Sequence, residues 1–274
     1  MKASRMLSLL QYAVLAALAV TVLYPVVYAF LTAFMTQQEA MSYPPALVPK
    51  EWSLGNFLAV LQAVPIARFM GNSLLISAAI TLGQLLLGSL SAYAFANIRM
   101  AGKAFWFALF LSTMMIPWEV TMIPNYLTIR SWGWLDTYPG MIVPFLASAF
   151  GTFLLRQFFL QLPGELFEAA RIDGCGHWRC YLLIVLPLAR PALATLAVYS
   201  FLHAWNQYMW PLLVTNSPEM RTVQIGVSML QSEEFTSWNT VLAGVALILL
   251  PSLLLLVLGL KQLVRGMTAG AVKG

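Results

Sequence analysis

The stretch LPGELFEAARIDGCGHWRCYLLIVLP, from Leu162 to Pro187, lies between two long apolar segments and decides the fold. Pro163 suits the first turn of a helix, and Glu165 suits the positive end of the helix dipole. Gly174 then ends or bends this helix, because glycine tolerates positive φ. A second amphipathic helix continues to Leu186. The stretch therefore predicts a compact helix-turn-helix against a membrane face, with small residues that let a soluble partner approach closely.

The remainder of the chain is too apolar to fold as a water-soluble globule. Of its 274 residues, 60% are hydrophobic and 9% are charged, whereas a soluble domain is about 45–50% apolar and about 25% charged. This composition excludes a soluble enzyme, a disordered chain and a disulfide-stapled secreted module. A helix crosses the roughly 30 Å hydrocarbon layer with about 20 mostly apolar residues. We therefore predict an all-α polytopic membrane protein with six transmembrane helices, at about residues 7–34, 69–97, 104–127, 140–160, 191–214 and 241–260.

The basic residues indicate how these helices are oriented. Most of the 15 Lys and Arg residues lie near the two termini, between the second and third spans, and in the loop at about 161–190. Such a bias marks the cytoplasmic side, and an even number of spans then places both termini there. Segments at about 35–68 and 215–240 are predicted to be external loops. The basic pI is thus a topology signal in a lipid-embedded chain, and it does not indicate a nucleic acid partner.

The central stretch also carries a spaced motif. Glu168-Ala169-Ala170 is followed after three residues by Gly174. Nine residues later the apolar stretch at residues 184–187 completes the pattern. This pattern resembles the EAA motif of binding-protein-dependent ABC importer permeases. Residues 136–140, 153–159 and 205–212 resemble the second permease of carbohydrate-type importers, of the maltose and sn-glycerol-3-phosphate kinds. The motif and coupling positions are Glu168, Ala169, Ala170, Asp173, Gly174, Ile184, Leu186 and Pro187.

The resemblance implies a type I ABC importer (MetI-like) transmembrane domain that covers residues 1–274 as a single permease domain. It implies a multi-pass subunit of the bacterial plasma (inner) membrane that translocates a sugar or an sn-glycerol-3-phosphate-like solute by alternating access. The implied partners are a homologous second permease, two ATPase subunits and an extracytoplasmic solute-binding protein. The chain has no P-loop motif, so we expect a transport subunit that binds no cofactor, with ATP-Mg held by the partner ATPase.

Within this family, the loop that carries the motif is a coupling helix seated in a cleft of the ATPase. The resemblance assigns Glu168 a charge contact to the ATPase, Ala169 and Ala170 close approach, and Gly174 the turn. It also places the 215–240 segment where a loop probes the solute pocket of the binding protein. A solvated connector is the alternative for that segment.

Glu119 is the one acidic residue within a predicted span, and Pro117 should break or kink the helix just before it. A charge at membrane depth is costly unless it faces water or a partner. Glu119 therefore either lines the translocation path or pairs with the other permease, unless the span is shorter and Glu119 lies at the outer interface. Asn125 carries the same alternatives.

A second polar group ends the fifth predicted span. Aromatic rings and amides hold polyols well, because amides both donate and accept hydrogen bonds. Pore lining is one interpretation, and an interfacial aromatic belt or hydrogen bonds between spans are the others. His203, one turn earlier, is predicted to serve packing or hydrogen bonding, with a proton relay as the alternative. The four residues of this group are Trp205, Asn206, Gln207 and Tyr208.

The remaining reactive residues do not form a catalytic or metal site in the sequence. Cys175 and Cys180 have no further Cys or paired His nearby, which predicts free thiols, with a disulfide or redox role as the alternative. Ser200 and His203 lie three residues apart without a G-x-S-x-G or H-E-x-x-H pattern. A self-sufficient secondary transporter or channel is the alternative function, and it would require its own coupling ion or filter.

Overall fold

The structure is a computed structural model that describes residues 2–231 and 237–268. All regular structure in these two ranges is helical. Residues 232–236 of the predicted external loop and the 269–274 tail lie outside the described residues. The α-helices are α1 (Lys2–Thr32), α2 (Gln37–Ala40), α3 (Gly55–Ala63), α4 (Ile66–Asn97), α5 (Lys103–Ser112), α6 (Trp118–Ser131), α7 (Tyr138–Ile142), α8 (Ala149–Phe159), α9 (Gly164–Ile172), α10 (His177–Cys180), α11 (Leu186–Leu188), α12 (Arg190–Trp205), α13 (Met209–Val214), α14 (Val223–Ser228) and α15 (Trp238–Thr268).

Three short non-α turns and one π-helix complete these elements. The 3₁₀ turns are Thr113–Met115, Val143–Phe145 and Pro218–Met220, and the π-helix is Tyr181–Val185. The π-helix joins α10 to α11 without a break. Because Pro187 has no backbone N–H to donate to the preceding turn, it favours such a local change of helix winding.

Three helices are each long and apolar enough to cross a membrane, namely Met6–Thr32, Ile66–Asn97 and Trp238–Gly259. Three further pairs pass the same test only when both members are counted together. Each pair is bent, so the described residues supply three spans, or up to six if each bent pair crosses as one. The bent pairs are Lys103–Met115 with Trp118–Ser131 (94°), Tyr138–Phe145 with Ala149–Phe159 (44°), and His177–Leu188 with Arg190–Trp205 (76°).

Proline accounts for the interruptions of two of the predicted spans. The 104–127 segment breaks at Pro117, the residue expected to break or kink it. The 191–214 segment ends as a helix at Trp205 and resumes at Met209. Pro211 cannot donate to the carbonyl of Gln207, and its ring would clash there, so the break falls in the preceding turn.

The chain divides into two compact units. The first comprises Met1–Ala67 with Gly226–Pro251. In it, Thr36 caps α2 in a reciprocal capping box with Glu39. The backbone N–H groups of Thr36 and Lys50 donate to the Glu39 carboxylate at 3.0 and 2.9 Å, and these bonds, led by that from Thr36, hold the pKa of Glu39 below its ordinary value. One carboxylate thus fixes both ends of the 36–50 loop.

The second unit comprises Arg68–Ile225 with Ser252–Gly274. Its core contains a buried polar junction at Gln84 of α4. The Gln84 amide donates to the carbonyl of Phe145 at 2.8 Å, and the Ser200 hydroxyl of α12 donates to the Gln84 side-chain oxygen at 2.6 Å. The Phe145 carbonyl lies at the bend between α7 and α8, where the helical hydrogen-bond pattern is interrupted. Gln84 therefore satisfies that carbonyl and fixes α12 against the bend.

Candidate functional site

The 162–187 stretch folds as the predicted helix-turn-helix, formed by α9 and the helix that begins with α10. Gly174 has φ of +71°, the left-handed conformation that favours glycine. Its N–H donates to the Arg171 carbonyl at 3.1 Å, and the Cys175 N–H donates to the Ala170 carbonyl at 2.8 Å. These two bonds form a Schellman motif, which satisfies the last carbonyls of α9 and sets the turn. We call residues 164–188 the hairpin.

The outer face of the hairpin carries exposed motif residues. The side chains of Glu168, Ala169 and Asp173 are exposed, and Ile172 is 87% exposed although it is aliphatic. Ala170 differs from its predicted role in close approach to a partner. It is 5% exposed and faces the chain's own core.

The inner face attaches the hairpin to the body of the second unit. Ile184 and Leu186 pack against the buried cluster that includes Leu155 and Phe159, and Pro187 is exposed. The hydroxyl groups of Tyr181 and Ser89 of α4 are hydrogen-bonded at 2.7 Å in a buried position. These contacts attach the hairpin to α4 and to the buried core of the second unit.

The two cysteines belong to the same hairpin. Cys175 is half-buried, Cys180 is buried, and both are free thiols, as the sequence predicted. His177 is exposed and its Nδ1 lies 3.3 Å from the Tyr93 hydroxyl. Within residues 2–231 and 237–268, no three His, Cys, Asp or Glu residues are grouped so that they could hold a metal ion.

Gly174→Val should loosen the hairpin by backbone strain alone. A Cβ at Gly174 would meet no atom within 4 Å, so the cost is the left-handed backbone, about 1–2 kcal/mol. Gly176→Ala is the matched control, because its Cβ would also meet open space and its φ is −72°. We expect faster amide hydrogen exchange across residues 170–176 in the valine variant only. Equal exchange in the two variants would contradict the strained turn.

A cavity of about 710 Å³ lies in the second unit. It is bounded by the first turn of α6, by the 206–208 break between α12 and α13, and by one face of α12. Aromatic rings form much of its wall, and the rings of Trp118 and Trp210 meet edge to face with centroids 5.5 Å apart. The lining residues are Trp118, Glu119, Phe145, Val198, Tyr199, Leu202, His203, Asn206, Gln207, Tyr208, Met209 and Trp210.

The cavity brings together four of the six predicted path residues, from two segments about 90 residues apart in the chain. Glu119 lies in the first turn of α6, while Asn206, Gln207 and Tyr208 form the break. Asn206 donates to the Leu202 carbonyl at 2.8 Å, and its side-chain oxygen accepts from Gln224 at 3.4 Å. Within the described chain the side-chain amide of Gln207 has no hydrogen-bond partner, whereas its backbone N–H donates to the Ala204 carbonyl at 3.2 Å.

The other two predicted path residues lie elsewhere. Trp205 is 1% exposed and does not line the cavity, because it occupies the buried face of the last turn of α12. Asn125 lies farther along α6 and is also absent from the lining. His203, predicted to serve packing or hydrogen bonding, stacks on Tyr199 with ring centroids 6.0 Å apart, and it also lines the cavity. The four-residue spacing of these two rings, followed by Asn206, is a helical-face pattern that could have indicated this wall.

Apolar membrane-crossing helices, an exposed hairpin and a polar, aromatic cavity define a membrane-embedded transport subunit. The chain belongs to the family of binding-protein-dependent transport system inner membrane components, whose pattern matches residues 84–268. It is therefore an inner-membrane ABC importer permease.

Curated relatives span nearly the whole chain. The sn-glycerol-3-phosphate transport system permease protein UgpE of Brucella melitensis biotype 1 is 36% identical over 257 residues, which cover 90% of this chain and 91% of the relative. The protein of the same name from Yersinia enterocolitica is 38% identical over 254 residues, with 90% of each chain covered.

The fold matches solved structures as well. A chain in the crystal structure of a bacterial ABC transporter involved in import of the acidic polysaccharide alginate aligns with a TM-score of 0.83, 22% identity and coverage of 95% of this chain and 98% of that chain. A second alginate transporter structure, in complex with a pentasaccharide-bound periplasmic protein, gives 0.69 at 15% identity, covering 99% of this chain and 96% of that chain. Both likenesses concern the fold alone.

Proposed function

We propose that the chain is the second permease of an importer for a sugar or an sn-glycerol-3-phosphate-like solute, and that the 710 Å³ cavity is its part of the solute path. In this proposal a homologous permease completes the pore, and an extracytoplasmic binding protein delivers the solute. Two ATPase subunits bind ATP-Mg and supply the energy. The chain itself is a transport subunit without ATPase activity.

The observation that carries the solute path is the grouping of Glu119, Gln207 and Tyr208 around one cavity. Amide and carboxylate groups bind hydroxyl groups, and aromatic faces cover the apolar faces of sugar rings. The names of the UgpE relatives support a three-carbon phosphorylated polyol, and the family resemblance supports a sugar. Both solute classes contain a hydroxyl-rich portion that suits this wall.

Coupling in this proposal is mechanical. Closure of the ATPase dimer on ATP moves the docked hairpin, and alternating access follows when the attached helices change position together. Helix α12 begins at Arg190, directly after the hairpin, and its other end carries cavity residues such as Leu202 and His203. One helix therefore links the docking surface to the solute path.

Gln207→Leu tests the path in the assembled importer reconstituted into liposomes. Loss of one hydrogen bond between Gln207 and the solute should lower ATP-driven uptake about tenfold. The control is Gln37→Leu, which changes the same side chain at an exposed position outside the cavity and should transport at the wild-type rate. Unchanged uptake in the Gln207 variant would contradict the assignment of this cavity to the path.

A further inference from the structure

The cavity wall carries an unbalanced charge. Glu119 is its one acidic residue, and within the part of the chain that the structure describes no Lys or Arg lines it. The other polar groups of the wall are amides, phenols and the His203 imidazole. A solute that enters this space therefore meets a carboxylate without a fixed cation beside it.

Glu119 lies in the first turn of α6, directly after the break at Pro117. The carboxylate forms no ion pair or hydrogen bond with another described residue, so its field is not cancelled within this chain. Beside a protein wall the effective dielectric constant is lower than in bulk water, so this field acts on nearby solute charges more strongly than it would in bulk water.

We infer that Glu119 is a charge-selecting residue of the solute path, which admits neutral, hydroxyl-rich groups and repels anionic ones. This inference rests on the proposed solute path, and it identifies which part of the solute this chain contacts. The wall fits an uncharged sugar or the polyol end of a larger solute. A phosphate group would be held away from α6, although the UgpE relatives are named for a phosphorylated solute.

The test measures the electrostatic potential of the cavity with thiol reagents of opposite charge. The starting chain carries Cys175→Ser and Cys180→Ala, and Gln207→Cys then places one thiol in the wall. The full importer, with its ATPase, second permease and binding protein, is studied in vesicles at a fixed pH. Reaction rates are measured with an anionic and a cationic methanethiosulfonate of similar size. The rate of each reagent is divided by the rate at which that reagent reacts with a small thiol in solution.

With Glu119 present, we expect the cationic reagent to react at least about tenfold faster than the anionic one. A single carboxylate on the wall of the same cavity attracts one reagent and repels the other with an energy of that order. The ratio should fall to about one in Glu119→Gln and be retained in Glu119→Asp. Glu51→Gln removes a carboxylate outside the cavity and should leave the ratio unchanged. High salt should reduce the preference by screening.

The possible failures are distinguishable. If the thiol reacts equally with both reagents, or if Glu119→Gln does not change the ratio, the charge-selecting role is wrong while the path remains accessible. If the thiol reacts with neither reagent in resting or ATP-driven vesicles, the cavity is not a water-filled path, and both the role of Glu119 and the proposed path are overturned.

Discussion

Glu168→Lys should abolish ATP-driven uptake while leaving the chain folded and inserted. Glu168 is exposed on the outer face of α9, next to Ala169, and its side chain makes no hydrogen bond or ion pair within the described chain. Reversal of its charge therefore has little effect on the isolated fold. At a docked interface, however, loss of a charge pair costs about 2–5 kcal/mol, which corresponds to a loss of at least about 30-fold in effective coupling.

The measurement compares solute-dependent ATPase activity and uptake in proteoliposomes that contain equal amounts of assembled chain. Glu165→Lys is the matched control, because Glu165 is exposed on the same helix but lies outside the spaced motif. Glu165→Lys also loses a favourable helix-dipole interaction of about 0.3–1 kcal/mol. We therefore expect the control to destabilise the fold at least as much as Glu168→Lys does. If Glu168→Lys retains wild-type uptake, or if both variants fail equally, Glu168 does not make the coupling contact.

The hairpin could be predicted closely from sequence, and the reason is local. Its turn depends on Gly174 and its first helix on a short amphipathic run, so neighbouring residues determine the structure. What the sequence did not reveal is that Ala170 faces inward. Exposure of a small residue depends on how α9 packs against the chain, and alanine is compatible with either face.

The cavity was only partly predictable, because its wall depends on where helices break. A continuous helix over 191–214 would group Trp205 with the residues that follow it. The break at 206–208 reorients the chain, so that Trp205 is buried while Gln207 and Tyr208 face the cavity. The position of such a break follows from Pro211, but the direction of the chain after it depends on tertiary packing.

Long-range contacts then fix the cavity wall in ways that no local pattern reports. The Trp210 indole N–H donates to the carbonyl of Gly140 at 3.1 Å, which joins α13 to α7. The Phe145 ring, whose backbone carbonyl is held by Gln84, lies with its centroid 4.7 Å from that of Trp118. The proposed solute path and the interior packing therefore share residues, and a packing defect in α7 should disturb the cavity.

Gly140→Ala is expected to cause the largest loss of stability among single-methyl substitutions in this region. A Cβ at Gly140 would overlap the backbone carbonyl oxygen of Trp134, and would lie 3.2 Å from a methyl carbon of Ile129. A backbone oxygen cannot rotate away as a side chain can, so the α7 turn must shift. Overpacking of this kind costs about 3 kcal/mol, and the shift would also weaken the Trp210 bond to the Gly140 carbonyl.

The appropriate control is Gly71→Ala, because a Cβ at Gly71 in α4 would meet nothing within 4 Å. Alanine is the better helix former by about 1 kcal/mol, so this control should be neutral or slightly stabilising. Thermal unfolding of the purified complex in detergent distinguishes the two variants. A lowered unfolding temperature in Gly140→Ala, with slower uptake by the protein that remains folded, would show that the α7 turn supports both stability and the path. Equal unfolding temperatures would mean that the α7 turn accepts the added methyl group without losing stability. The close approach at Gly140 would then not be required.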